Sequence, residues 1–278
     1  MAHVIDVISC KVYPNMTALC ALFVAAGVIS KMSRWREPRN DRPARVARYV
    51  APVVERLLSC SCNHRRHWAI SGVLRSFPFI EPCIPSQRNH LPAGLCWLHE
   101  VKLDGWRGQL HRCDGVVRLY SKRGNDLGFR FPDLLRAVAS LPFSDVILDG
   151  EITALDHQGL PNFKALQRGD CDYLHTFWAF DLLRIGQFDL RGLALEERKA
   201  RLADVLSSAD SVHVRYSESF EDGQALLKAA IGLGLEGVVS KKRGSPYRSG
   251  PCRDWVKVKS AIWREANRER WSLLQRQG

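Results

Sequence analysis

The sequence predicts an α+β domain that begins near Ser76, with short strands and amphipathic helices interspersed rather than alternating as in a doubly wound parallel sheet. Three observations carry this prediction: a series of short β-like runs, three segments with helical apolar spacing, and an Asp114-Gly115 pair between two of the runs. Asp-Gly is the two-residue signal for a tight hairpin turn.

Taken in order, Leu95 to Leu103, Trp106 to His111 and Val116 to Ser121 read as strands, so the core is expected to open with an antiparallel meander. Phe131 to Ala139 follows with helical spacing. Asp145 to Ala154 and Tyr173 to Leu183 are long β-branched and aromatic runs, and both read as strands. Leu195 to Leu206 and Glu221 to Gly232 read as amphipathic helices flanking a strand at Val212 to Ser217. Glu236 to Ser240 and Asp254 to Lys259 complete the strands. No internal repeat or low-complexity tract is present.

Composition places the chain among soluble globular proteins, since 46% of its 278 residues are hydrophobic and 25% charged. Its formal net charge of +12 favours a polyanionic partner such as nucleic acid. That charge is uneven. Residues 1–75 hold 12 lysines and arginines against 4 acids, a net +8, which leaves +4 for the rest. Nine scattered cysteines form no small-scaffold disulfide pattern, so a reducing, cytoplasmic compartment is expected. The apolar run Ala18 to Ile29 is shorter than the roughly 20 residues that span a bilayer, so no membrane association is expected. An arginine-rich stretch from Arg34 to Arg48 and a Cys60 to His67 cluster follow; the cluster's ligands are too crowded for a chain to fold around zinc. Residues 1–75 read as an unassigned, poorly ordered basic extension, or as sequence ahead of a later start at Met32.

The most informative segment is Glu100-Val101-Lys102-Leu103-Asp104-Gly105-Trp106-Arg107. A lysine ends a strand just before a Gly-containing turn, and an arginine follows five residues later. Lysine is a nucleophile only when deprotonated, so such a site must lower its pKa from about 10.4 through desolvation or neighbouring cations. Arg107 and the later lysines are candidates to supply that charge. On strand alternation Lys257 and Lys259 share one face.

The segment resembles the KxDGxR signature of the covalent nucleotidyltransferases, the superfamily of DNA ligases, RNA ligases and messenger-RNA capping enzymes. Later segments are similar to that superfamily's further motifs, in order: Ser121-Lys122-Arg123-Gly124, Asp149-Gly150-Glu151, Phe177 to Leu183, Gly234 to Lys241 and Trp255 to Lys259. Phe79 to Cys83, Ser245 to Gly250 and Trp263 to Arg268 are similar to the ligase domain of the bacterial ligase D branch, so the resemblance covers roughly residues 76–268.

The resemblance implies an ATP-grasp-like nucleotidyltransferase domain over residues 76–262, with antiparallel sheets flanked by helices. It implies an ATP-dependent DNA ligase in which Lys102 forms a lysyl-AMP intermediate and nicked double-stranded DNA is sealed in repair or recombination. Glu100, Leu103, Arg107, Lys122, Glu151, Phe180, Lys257 and Lys259 are the implied nucleotide-binding residues, with Phe180 against the adenine and Glu151 on the ribose. Glu151 and Glu236 are the implied Mg2+ ligands, magnesium preferring few carboxylates plus phosphates and water. Lys122 departs from the arginine usual at its position and offers a point charge in place of a bidentate fork. Ligases of this kind add an OB-fold domain, for which the tail at 263–278 is too short. Slow self-adenylation or a separate chain supplying an OB-fold or end-binding function is therefore expected. An RNA ligase or capping-type enzyme, and a non-catalytic nucleotide- or DNA-binding remnant, remain as alternatives.

Overall fold

The computed structural model describes residues 76–141, 145–207 and 211–268. The readings made for residues 1–75, including the apolar run, the Cys60 to His67 cluster and Met32, lie outside the described residues, as does the tail beyond Arg268. Among the described residues no helix is long and apolar enough to cross a membrane.

The elements run β1 (Cys83–Gln87), β2 (Trp97–Lys102), β3 (Trp106–Cys113), β4 (Val116–Ser121), α1 (Pro132–Ala139), β5 (Val146–Leu155), α2 (Phe163–Arg168), β6 (Leu174–Ile185), β7 (Phe188–Asp189), α3 (Leu195–Ser207), β8 (Val214–Tyr216), α4 (Gly223–Gly232), β9 (Gly237–Lys242), β10 (Gly250–Lys259) and α5 (Ala261–Ala266). They build two sheets. The smaller has the order β1-β10-β9-β2, and the larger β4-β3-β5-β6-β7 with β8 alongside β6. Most neighbours are antiparallel; β1 with β10 and β6 with β8 are parallel. The α+β expectation holds.

The expected opening meander does not. β2 pairs with β9 in the smaller sheet, whereas β3 pairs with β4 and β5 in the larger one. Adjacent polar and apolar periods look alike on either side of a turn, so sequence cannot tell a hairpin from a crossover between sheets. The β3–β4 hairpin is as predicted, with Asp114 at φ 48° and Gly115 at φ 78°, the two left-handed residues that a type I′ turn demands.

Side-chain oxygens close the helix starts. Asn162 accepts from the Ala165 N–H, Asp222 from Ala225 and Ser260 from Trp263, each satisfying a donor that the helix leaves open. Pro132 begins α1 at a position where its missing N–H costs nothing.

Alternation along β5 divides the core. Val146, Leu148 and Ile152 join Leu110, Leu134, Phe177 and Leu202 beneath the helices. Ile147 points the other way and packs with Cys83, Leu183, Tyr247, Cys252 and Trp255. That second cluster joins the two sheets. Asp149 and Glu151 follow Ile147 at two-residue intervals, which places them on the face turned toward the smaller sheet.

Candidate active site

A cleft of about 540 Å³ opens between the sheets, within the range of small-molecule sites. The predicted residues Glu100, Lys102, Leu103, Arg107, Lys122, Glu151, Phe180 and Lys257 all line it. Glu236 and Lys259 adjoin it through Lys102. The five-residue step from Lys102 to Arg107 is the crossover, so the lysine ends a strand of one sheet and the arginine is the second residue of a strand of the other. Gly105 makes this possible: a Cβ there would lie 2.2 Å from the Ile152 carbonyl oxygen.

At one end cations converge. Lys102 Nζ donates to Glu236 Oε2 at 2.6 Å, and Lys259 Nζ lies 2.9 Å from the other oxygen of the same carboxylate. Lys102 retains 20% side-chain exposure, while Glu236 keeps 4%. Lys257 stands two residues before Lys259 on the same face, and its ammonium is pushed below the usual range by burial and then by Lys102, Lys259 and Lys122. Burial likewise lowers Lys259, with Glu236 working against it. Lys122 is exposed in a turn closed by the Gly124 N–H donating to Ser121 O.

Glu151 faces these cations from β5. Burial raises its carboxyl to about 7, Lys102 and Arg107 opposing the shift and Glu236 and Asp104 adding to it. Two acidic groups that repel one another in a buried, cation-rich place form a donor set that a hard divalent ion satisfies. A separate gathering of Cys113, Asp114 and Asp145, within 4.8 Å of one another, sits at the opposite end of β3 and is not the predicted pair.

The other end is aromatic. Trp178, Phe180 and Trp255 line it. Phe180 sits at a β-bulge: Asp149 faces Asp181 and Gly150 faces Ala179, which leaves Phe180 without a partner across the ladder. Bulges re-aim a side chain in this way and recur beside active sites. The Phe180 ring carries the Arg107 guanidinium at 4.5 Å and the Lys241 ammonium at 4.4 Å from its centroid.

Arg107 is more tightly held than its sequence context suggests. Its Nε and Nη2 donate to the two oxygens of Asp149 at 2.7 and 2.6 Å. Tyr247 donates to the same Asp149 at 2.6 Å and accepts from the Cys83 N–H at 2.9 Å. The buried guanidinium is nevertheless raised above its usual range, Asp149 outweighing desolvation. Asp149 had appeared only as the first letter of a motif, and Tyr247 only within Ser245 to Gly250.

Sequence reasoning also left out a buried charge cluster behind the aromatic end. Glu100 Oε2 accepts from Lys241 at 2.9 Å and Ser217 at 3.3 Å. Its Oε1 lies 3.0 Å from Lys199 Nζ and accepts from Ser219 at 3.2 Å. Burial works to raise this carboxyl, but Lys199 and Lys241 outweigh it and hold it below the usual range. Burial pulls Lys241 down to about 8. Lys199 belongs to none of the motifs; it is buried on α3 next to Arg198 and among Leu195, Leu202 and Leu206.

A family profile described as ATP dependent DNA ligase domain matches residues 88–259. Among curated proteins, the multifunctional non-homologous end joining protein LigD of Pseudomonas aeruginosa is 41% identical over 194 residues, covering 67% of this chain and 23% of that protein. The multifunctional non-homologous end joining DNA repair protein LigD of Mycobacterium tuberculosis is 36% identical over 164 residues, covering 59% and 21%. The chain thus spans less than a quarter of the length of these relatives. Among solved structures, the ligase domain of M. tuberculosis LigD is 33% identical with a TM-score of 0.58, covering 66% of this chain and 61% of that one. A mycobacterial DNA ligase D complexed with ATP and MES is 32% identical with a TM-score of 0.58, covering 66% and 62%.

Proposed function

This chain belongs to the ATP-dependent DNA ligase family, and from that membership we propose that residues 76–262 form an adenylation domain that loads AMP onto Lys102 and seals nicks in double-stranded DNA during repair or recombination. The observation that carries the reading is the placement of Lys102 at the cationic end of a cleft whose other end is aromatic. A nucleoside triphosphate presents those same two chemistries.

In the first step Lys102 Nζ attacks the α-phosphorus, the N–P bond forms, and the bond from that phosphorus to the bridging oxygen breaks to release pyrophosphate. The amine must shed a proton, and Glu236 Oε2 at 2.6 Å is its acceptor. Lys257 and Lys259 stabilise the charge that grows on the phosphoryl oxygens, the dominant contribution in such reactions. Phe180 and Trp178 hold the base, Glu100 and Leu103 border it, and Glu151 orients the ribose. Arg107, latched to Asp149, meets the ribose or the incoming phosphate, and Lys122 approaches the DNA side of the cleft.

Magnesium fits Glu151 and Glu236, where it would neutralise triphosphate charge and relieve the repulsion between the carboxyls. The AMP then passes to a DNA 5′-phosphate, and a 3′-hydroxyl displaces it as the phosphodiester forms. Five free cysteines among the described residues support a reducing, cytoplasmic setting.

The test is incubation with α-labelled ATP and magnesium, followed by a nicked DNA duplex. The protein is expected to take up label that Lys102→Ala abolishes, and to pass it to DNA. Absence of a labelled adduct from the wild-type protein refutes the reading, and label passed to an RNA nick but not a DNA nick redirects it.

A further inference from the structure

The base end of the cleft is backed by one carboxylate and two ammoniums, all nearly inaccessible: Glu100 keeps 3% exposure, Lys199 4% and Lys241 1%. Glu100 and Lys241 line the cleft, whereas Lys199 reaches the group from α3 on its far side. An ionised carboxylate offers about four lone-pair sites. Lys199 and Ser219 occupy one oxygen of Glu100, Lys241 and Ser217 the other. Glu100 is thereby saturated within the protein, and its orientation is fixed from both ends.

Lys241 is not saturated in the same way. Of its three protons, the hydrogen bonds to Glu100 and to the Phe180 carbonyl at 3.1 Å use two. Its ammonium sits at the aromatic end of the cleft, over the rings of Phe180 and Trp255 at 4.4 and 4.2 Å. Lys199 for its part donates to the Ser217 carbonyl at 2.6 Å and lies 4.2 Å from the Tyr216 ring, so β8 and α3 brace it.

We infer that Lys199 is a positioning residue for base selection: by saturating and orienting the Glu100 carboxylate from behind the wall, it fixes Lys241 as the group that meets the edge of the purine. The inference rests on the proposed nucleotide site. An ammonium in that place favours a base whose edge offers a lone pair there. A carboxylate released from Lys199 would rotate and accept hydrogen bonds itself, which blurs the choice between an amino and a keto purine.

Removing Lys199 leaves Glu100 and Lys241 as a neutral pair, so no uncompensated buried charge is created. Lys199→Met is therefore the informative variant. Equilibrium binding of ATP and GTP to the full chain is expected to show about a tenfold weakening for ATP and about a tenfold narrowing of the ATP-to-GTP ratio, the loss typical of a hydrogen bond to a charged group. Lys199→Arg restores most of the ratio. Ser219→Ala, which removes the other donor to the same oxygen, shifts it in the same direction by a smaller amount and keeps the test alive should Lys199→Met fail to fold.

A purely structural role would leave the pH profile of binding unmoved. The charged groups facing Lys241 are Glu100 from β2, Lys199 from α3, Asp181 from β6, and the guanidinium of Arg107 across the shared Phe180 ring. Lys199 is the like charge that the Met variant deletes, so the alkaline fall in ATP affinity, expected near pH 8, moves upward in that variant. A folded Lys199→Met protein with the wild-type ratio and profile, or an unchanged ratio in Ser219→Ala where Lys199→Met does not fold, overturns the inference. ATP binding with this dependence but without a labelled adduct would sink the ligase reading and leave the inference standing. Failure to bind either triphosphate sinks both.

Discussion

Glu151→Gln is expected to stabilise the protein while disabling it. The Glu151 carboxyl is raised from 4.5 to about 7, chiefly by burial. In the unfolded chain it ionises near 4.5, so the folded state holds the extra proton between the two values. A group raised in this way contributes its full stability below pH 4.5 and loses it as pH rises through about 7. At 1.36 kcal/mol per unit, a shift of about 2.5 units amounts to about 3 kcal/mol at most, an upper bound because the carboxyl borders an open cleft. The glutamine keeps the shape and has no proton to lose. Urea midpoints measured at pH 5 and pH 8 without nucleotide should therefore drop for the wild-type protein and stay level for the variant, which becomes the more stable of the two at pH 8. Adduct formation by the variant should fall by about a hundredfold or more, since a charge aimed at the nucleotide is gone. Parallel pH dependence in the two proteins, or a variant less stable at pH 8, would show that burial is not straining this carboxylate.

Two further substitutions probe the frame that holds the site. Gly237 has φ 153°, and a Cβ there would lie 2.0 Å from the Val258 carbonyl oxygen, so Gly237→Ala must part β9 from β10. That moves the neighbouring Glu236 away from Lys102 and Lys259; a loss of about 2–4 kcal/mol in urea and at least about a hundredfold in adduct rate is expected, and wild-type values in both assays would contradict the placement. Arg198 is fully buried, binds both oxygens of Asp181 at 2.8 and 3.0 Å and donates to Leu193 O and Ser245 O. Arg198→Met strands the Asp181 charge at a cost of about 3–5 kcal/mol, read as a fall of about 10 °C in melting temperature that Asp181→Leu largely recovers in the double variant.

Much of the fold was legible because local signals agreed with it. Val116 to Ser121 came out as β4 with identical limits, since an Asp-Gly turn fixes the register on one side and alternation fixes the face. β1 was missed: Pro82 and Pro85 argue against a strand, yet β1 is an edge strand whose pairing with β10 shifts register between Pro85 and Ser86, where a missing N–H is tolerated. The six-residue α2 and α5 are too short for a periodic signal and are marked only by their caps, Asn162 and Ser260. The residues proposed for the site from their motifs all gather at one cleft or its edge. Lys199 and Tyr247 were not found, because their partners Glu100 and Asp149 lie 99 and 98 residues away and no local pattern announces a long-range pair.

The failed meander carries the deeper lesson about the chemistry. Had β2 and β3 formed one hairpin, Lys102 and Arg107 would have belonged to a single rigid ladder. Instead Lys102, Lys257 and Lys259 ride on the smaller sheet, while Arg107, Glu151 and Phe180 ride on the larger, and the Lys102 to Arg107 crossover is a short covalent link between them, the chain returning to the smaller sheet from β8 through α4 to β9. In-line attack needs reacting atoms within about 3–3.5 Å and aligned, so the distance that matters is set by how the sheets pack. That packing is the business of Cys83, Ile147, Leu183, Tyr247, Cys252 and Trp255, which interdigitate as one buried cluster. A methylene removed from Ile147 or Leu183 is thus expected to be felt at Lys102 through a change in sheet spacing, although neither side chain is among those lining the cleft. On the proposed function, a nucleotide bound between the sheets would act in the opposite sense: it would bridge them and stabilise the one spacing in which Lys102 faces the α-phosphorus.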